Sequence, residues 1–248
     1  EVYPAKGERK ARVGILLGCA QRVLRPSINQ ATIQVLQENG VEVVAVPEQA
    51  CCGALNLHAG DKEGAQALAR KNLKAFRDVD YVVTNAAGCG SGMKEYPLLF
   101  LGEPEEEAQA LAAKVKDLSV LLDELGFTPP PPPRRPLRVA YHDACHLAHA
   151  QGVREAPRRL LQAAGLEVLE PREWELCCGS AGTYNLFQPE IAEALGKRKA
   201  ENLKATGADL VATGNIGCLT QIQAYLDLPV LHTAELLALL YEGKDPLA

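Results

Sequence analysis

Val41-Glu42-Val43-Val44-Ala45-Val46 runs into Cys51-Cys52-Gly53, and Glu167-Val168-Leu169-Glu170 runs into Cys177-Cys178-Gly179. The two Cys-Cys-Gly stretches lie 126 positions apart. A single earlier cysteine precedes each at the same offset of 126, Cys19 and Cys145, and a later one follows at an offset of 129, Cys89 and Cys218. All 8 cysteines of the chain belong to this pattern. Other residues repeat with it. Arg12-Val13 leads to Cys19 as Arg138-Val139 leads to Cys145. Asp80-Tyr81-Val82 leads to Cys89 as Asp209-Leu210-Val211 leads to Cys218, and Asn72-Leu73-Lys74 matches Asn202-Leu203-Lys204. A repeat of this length, present twice, reads as two like domains rather than a solenoid.

The pattern around each stretch is that of an α/β fold. Apolar runs at Val13–Leu17, Val41–Val46 and Tyr81–Thr84 alternate with helical periodicity over Ser27–Asn39 and Asp61–Arg77. Short apolar runs between helices read as parallel strands buried on both faces. The second half replays the order: strands at Arg138–Tyr141, Glu167–Glu170, Asp209–Thr213 and Pro229–Leu231, helices at Ala156–Ala164, Pro189–Thr206 and Thr233–Tyr241. The expectation is two tandem, internally duplicated Rossmann-like, doubly wound units with parallel sheets, related by an approximate two-fold axis. Residues 1–128 form the first domain and residues 137–248 the second. Residues 129–136, with five prolines in a row, read as a stiff linker. Residues 1–11 read as a polar tail, Gly92–Phe100 as a helix interrupted at Pro97, and Glu103–Gly126 as one or two helices.

Composition narrows the function. The chain has 248 residues, 47% hydrophobic and 23% charged, with net charge −5. An acidic chain is a poor nucleic-acid surface, so no nucleic-acid partner is expected. It shows no apolar run long enough to span a bilayer and no secretory leader at its start. A cytoplasmic place follows, with attachment at the inner face of the membrane left open. Many cysteines in that setting favour metal or redox use over structural disulfides. There is no Walker A pattern, no Gly-x-Gly-x-x-Gly after a strand and no serine-nucleophile elbow. No catalytic residue is assigned.

Every cysteine is expected in a loop after a strand and before a helix. In an open parallel sheet those loops meet at the carboxyl edge. Cys19, Cys51, Cys52 and Cys89 should therefore converge, and so should Cys145, Cys177, Cys178 and Cys218. Four thiolates in one place suit an iron–sulfur cluster or zinc. Two sulfurs adjacent in sequence strain a single tetrahedral ion but can bind two irons of one cluster. The alternative is that the cysteines are merely small core residues, copied by the duplication. Tyr141-His142-Asp143-Ala144-Cys145-His146 sets two histidines and a carboxylate around one cysteine, and His58 follows the first Cys-Cys-Gly. His142, His146 and His58 are candidate ligands or proton carriers, set against the plainer role of bonding a neighbouring loop. His149 and His232 read as structural. Thr183, Tyr184 and Asn185, just past the second stretch, could donate hydrogen bonds to a cluster or only shape the loop.

The two Cys-Cys-Gly blocks resemble the cysteine-rich CCG domains of heterodisulfide reductase and related oxidoreductases. Further stretches look like the iron–sulfur subunit of bacterial glycolate oxidase: Gly18-Cys19-Ala20-Gln21, Ser91 to Lys94-Glu95-Tyr96, Leu176 through Tyr184, and Asn215-Ile216-Gly217-Cys218. The resemblance implies [4Fe-4S] chemistry held by the eight cysteines. It also implies an electron acceptor and a separate FAD-containing subunit that oxidises a 2-hydroxy acid, most simply glycolate. Such a chain would be active only within a complex. Two departures stand out. The Cys-x-x-Cys ending of the heterodisulfide reductase domains is absent, with Gly92 and Gln221 at the second position, so four-ligand sites are expected. The ferredoxin-like N-terminal module of the glycolate oxidase subunit is also absent. The start without Met suggests its removal, and a stand-alone lactate-utilisation protein is the other possibility. Two further functions stay open: a thiol- or disulfide-reducing enzyme acting by itself, and a docking module with zinc or no metal.

Overall fold

The structure, a computed structural model, describes residues 1–102 and 105–248. The chain divides into two compact units, Glu1–Phe127 and Thr128–Ala248.

The first unit carries strands β1 (Val2–Tyr3), β2 (Ala11–Ile15), β3 (Val41–Val44), β4 (Tyr81–Thr84) and β5 (Val115–Asp117), in spatial order β1-β3-β2-β4-β5. Strands β2 to β5 are parallel, and β1 pairs antiparallel on the edge of β3. Helices α1 (Ala20–Leu24), α2 (Ser27–Glu38), α3 (Ala54–His58), α4 (Lys62–Ala75), α5 (Ala87–Lys94), α6 (Tyr96–Leu99), α7 (Glu106–Lys114) and α8 (Leu118–Leu125) connect them. Val13, Ile15, Val41, Val43, Val82 and Val83 are fully buried, as strands covered on both faces require. Asp61 caps α4 by accepting from the Gly64 amide at 2.9 Å.

The second unit holds β6 (Arg138–His142), β7 (Glu167–Leu169), β8 (Leu210–Thr213) and β9 (Val230–His232), all parallel, in order β7-β6-β8-β9. Its helices are α9 (Cys145–Ala148), α10 (Glu155–Ala163), α11 (Tyr184–Phe187), α12 (Pro189–Lys204), α13 (Ile216–Gln223) and α14 (Thr233–Tyr241). The order β7-β6-β8-β9 matches β3-β2-β4-β5, so the duplication read from the cysteines is a duplication of topology.

Three expectations are corrected. The polar tail contributes β1, because Val2 and Tyr3 find the open edge of β3. The stretch read as one or two helices from Glu103 contains β5, which pairs with β4; Glu103 itself lies outside the described residues. Leucines at helical spacing on either side of Val115-Lys116-Asp117 hid that strand. The proline run lies on the second unit: Pro130 is buried, and a β-carbon on Gly165 would stand 3.2 Å from Pro132.

Candidate metal centre

In both sheets the chain crosses from one side to the other between the first strand and its later neighbour, β2 and β4 in the first unit, β6 and β8 in the second. Ligand crevices of open parallel sheets form at the carboxyl ends of such strands. Cys19 follows β2 and Cys89 follows β4; Cys145 follows β6 and Cys218 follows β8. The Cys-Cys-Gly loops arrive from β3 and β7. The cysteines were expected in loops, but Cys89 and Cys218 are the third residues of α5 and α13, and Cys145 opens α9. A first-turn residue still faces the sheet edge, and the unpaired N–H groups of that turn favour anions.

Each unit arranges its thiols as a ladder. Cys51 Sγ stands 3.5 Å from Cys19 Sγ, while Cys52 bonds to both Cys51 and Cys89. In the second unit Cys177 joins Cys145 to Cys178, and Cys178 joins on to Cys218. The adjacent pair thus faces two ways. Its first sulfur meets the outer, more exposed cysteine and its second meets the inner one. Cys52, Cys178 and Cys218 are buried, Cys19 is exposed, and the rest are half-buried. Gly53 and Gly179 make the turn, with φ of +84° and +92°. Their amides donate to Cys51 Sγ at 3.5 Å and Cys177 Sγ at 3.3 Å.

The thiols perturb one another. Hydrogen bonding to Cys51, then burial, raises Cys19. Cys52 is raised on balance: its bond to Cys51 lowers it, while its bond to Cys89 and burial raise it more. In the second unit the direction alternates. Cys145 is raised by its bond to Cys177, and Cys178 by its bonds to Cys177 and Cys218. Cys177 is lowered by bonds from Cys145 and Cys178, and Cys218 by its bond to Cys178 against the cost of burial. Ionising every rung would crowd like charges, a cost that a bound cation relieves.

Around the ladders the two units differ. In the first, Tyr96 donates to Cys52 O at 2.8 Å, and Asn72 donates to Cys51 O at 3.1 Å and to Tyr96 Oη at 3.0 Å. In the second, the buried Lys199 takes the bracing role, donating to Glu173 O at 2.9 Å and Trp174 O at 3.3 Å. Asn72 and Lys199 each stand seven residues past the alanine, Ala65 or Ala192, that packs on the Cys-Cys-Gly glycine. The helices therefore match Asn72 with Lys199. Asn202, its partner by sequence pattern, instead donates to Glu173 Oε2 at 2.8 Å. Burial pushes the Lys199 ammonium below its ordinary value. Arg158, also buried, grips Asp143 with bonds of 2.9 and 2.6 Å and reaches Glu170. Arg154 lies 3.6 Å over the Trp174 ring. Of these charged groups the sequence points only to Asp143, beside Cys145; nothing in it singles out Arg158, Arg154 or Lys199.

The histidines separate. His142 is 1% exposed, and one of its ring nitrogens lies with Cys178 Sγ and Cys218 Sγ in a set mutually within 4.8 Å. No other such set of three possible ligands occurs among the described residues. His58 ends α3 at the surface, and His146 is half-buried in α9. His232 caps α14, accepting from the Ala234 amide at 3.0 Å, and His149 stacks on Trp174 at 5.5 Å. Asn185 donates to Gln221 Oε1 at 3.5 Å. At Gly92 a β-carbon would fall 2.9 Å from Ala54 Cβ, so no side chain fits there without a shift.

The donor set fits a cluster better than one ion. Four sulfurs around a single tetrahedral zinc lie about 3.8 Å from one another, given Zn–S bonds of about 2.3 Å. Among the described residues no three thiols of either ladder come mutually within 4.8 Å, whereas a row of thiols suits ligands spread over several irons.

With these features the chain belongs to the cysteine-rich domain family CCG, which matches at residues 13–94 and again at 139–223. It is similar to three proteins of known designation. The probable glycolate oxidase iron-sulfur subunit of Bacillus subtilis (strain 168) is 39% identical, matched over 94% of this chain and 56% of that protein. Lactate utilization protein A of Oceanobacillus iheyensis is 31% identical, over 94% of this chain and 98% of that protein. The glycolate oxidase iron-sulfur subunit of Escherichia coli (strain K12) is 33% identical, over 92% of this chain and 57% of that protein. The chain thus spans a little over half the length of the first and third of these. A hypothetical protein from Helicobacter pylori shares the fold, with TM-score 0.65 at 11% identity over 98% of this chain and 52% of that one. No described helix is long and apolar enough to cross a membrane.

Proposed function

We propose that the chain is the iron–sulfur, electron-carrying part of a 2-hydroxy-acid oxidoreductase. Cys19, Cys51, Cys52 and Cys89 would hold one cluster of the [4Fe-4S] kind, and Cys145, Cys177, Cys178 and Cys218 a second. A partner subunit bearing FAD would oxidise glycolate or lactate and deliver the electrons, which leave to a further acceptor. The observation that carries this reading is the pair of thiol ladders at the carboxyl ends of the sheets. Similarity to proteins named for glycolate oxidation and lactate utilization supports the substrate class without choosing between the two acids.

A bound cluster supplies one-electron storage. The chain's own residues do the rest. The thiols anchor it, and the Gly53 and Gly179 amides hold the outer sulfur of each adjacent pair in place. Tyr96, Asn72 and Lys199 fix the loops that carry those pairs. The burial of Cys52, Cys178 and Cys218 keeps water from the inner rungs. Anaerobic reconstitution with iron and sulfide tests the reading: the loaded chain should show visible charge-transfer absorption that bleaches when flavin subunit and 2-hydroxy acid are added. A chain that takes up no iron, or iron that stays oxidised under those conditions, would refute it.

A second reading has one observation in its favour. The outer pairs Cys19–Cys51 and Cys145–Cys177 are close, partly exposed dithiols, as a disulfide-reducing enzyme would need. Turnover of thiols or disulfides by the isolated chain would select it.

A further inference from the structure

The two ladders are alike in sulfur and unlike in what stands behind the inner rungs. Strand pairing fixes the comparison. Ile15 pairs with Val83 in the first unit and Tyr141 with Ala212 in the second, at the offsets of 126 and 129 that relate the cysteines. The next residue along the first strand is Leu16 in one unit and His142 in the other. Leu16 is 2% exposed and packs in the apolar cluster with Cys52 and Met93. His142 is equally buried, and neither Nδ1 nor Nε2 makes a well-formed hydrogen bond; the ring's polar contact is a loose one with the Cys218 sulfur. An imidazole withdrawn from water with no well-formed hydrogen bond is costly, and such groups in folded proteins have a reason.

The surroundings leave few candidates for that reason. Asp143 follows directly in the chain, but its oxygens bond Arg158 and Arg154 rather than the histidine, Oδ1 with Arg158 and Oδ2 with both. Asn215 is spent on Cys218, donating to its sulfur at 3.4 Å. What the ring does face is the inner thiol pair, Cys178 and Cys218, within 4.8 Å. A neutral imidazole nitrogen beside two thiolates is an ordinary donor set for iron or zinc.

We propose that His142 is a direct ligand of the second unit's metal centre. Each iron of a four-iron cluster takes one protein ligand, so His142 would stand in for one of the inner thiols, Cys178 or Cys218. The two units then carry unlike centres, four sulfurs in the first and three sulfurs with one imidazole in the second. This rests on the reading above that the thiol ladders hold iron. Imidazole carries no charge where a thiolate would, and exchanging cysteine for histidine raises a cluster's potential. The second centre is accordingly set apart by residue 142 as the one whose potential responds to that position.

The test uses the whole chain reconstituted anaerobically with iron and sulfide, made with isotope-labelled histidine. Pulsed electron paramagnetic resonance of the reduced protein should show strong imidazole nitrogen coupling. The coupling should vanish in His142→Leu, which copies the first unit's residue, and survive in His58→Gln and His146→Gln. His142→Cys should keep its iron and shift one reduction potential downward. In parallel, cobalt(II) alone should bind His142→Leu about tenfold or more weakly than the parent. Circular dichroism confirms that each variant is folded. Iron-loaded parent without nitrogen coupling, or coupling that persists in His142→Leu, overturns the proposal. A parent that binds no iron refutes the cluster reading instead, and the cobalt comparison then decides on His142: equal affinity in the two proteins overturns it.

Discussion

Gly179 stands at φ +92°, and a β-carbon there would press into the Ala192 carbonyl at 2.5 Å. A left-handed conformation alone costs a non-glycine residue about 1–2 kcal/mol, and the carbonyl cannot rotate away like a side chain. Gly179→Ala should therefore destabilise the second unit by about 2 kcal/mol or more, seen as a lower denaturation midpoint. At Gly53 the same carbon would meet Ala65 O at 3.2 Å, so Gly53→Ala should cost less; the reverse order would contradict this account of the turn. Tyr96 makes a second case. Its hydroxyl is buried between Cys52 O and Asn72, so Tyr96→Phe should lose about 1–2 kcal/mol by depriving both of that partner. Urea titration of the metal-free chain measures it. Of these residues the sequence shows the glycines plainly, because Cys-Cys-Gly is written twice. Nothing local distinguishes His142 from His146 or His58. Burial separates them, and burial follows from strand register, which puts His142 at the inner end of β6.

At the scale of elements, the second unit braces its ladder with charge where the first uses neutral groups. Arg158 on α10 holds Asp143 at the end of β6, both nearly inaccessible to water. Removing Arg158 leaves the buried Asp143 carboxylate with Arg154 alone, at 3.3 Å. Arg158→Met should thus cost about 2 kcal/mol, less than a wholly unpaired buried charge would, and adding Asp143→Asn should recover part of it; a double variant no more stable than the single one would show the pair is not coupled. The richer polar surroundings also rank the sites. Cys177→Ser or Cys178→Ser should lower bound iron more than Cys51→Ser or Cys52→Ser, as read by iron analysis after reconstitution, and equal losses would reverse that ranking. In the first unit, Asp117 caps α8 by accepting from the Ser119 amide at 2.9 Å. Burial pushes its carboxyl above the ordinary range. The folded chain then holds this proton to higher pH than the unfolded chain does. Its effect is to weaken the fold as pH rises from the unfolded to the folded value. Asp117→Asn keeps a good cap and should flatten that part of the stability–pH curve. These elements were unevenly legible. Strands between helices announce themselves by apolar runs, so β2, β3, β4, β6 and β8 stood out. The three-residue β5 sits between two leucine-rich helices, and only its pairing with β4 makes it a strand.

The molecule as a whole is two units, each with a parallel sheet and an apolar core. Residues 128–248 expressed alone should unfold in one cooperative transition, followed by circular dichroism; a chain without a transition would show that the unit depends on the rest. The duplication was readable at this scale because eight cysteines kept their spacing, which a core of interchangeable aliphatic residues need not do.

The two-way facing of each adjacent cysteine pair has a practical consequence. One peptide unit separates a sulfur that solvent can reach from one that it cannot. A thiol-alkylating reagent applied to the metal-free chain should therefore mark Cys19, Cys51, Cys145 and Cys177 well before Cys52, Cys178 and Cys218. Mass spectrometry of tryptic peptides would show neighbours in sequence reacting at very different rates. Slow labelling of the outer cysteines in a preparation would then serve as a gauge of how many of its centres are filled.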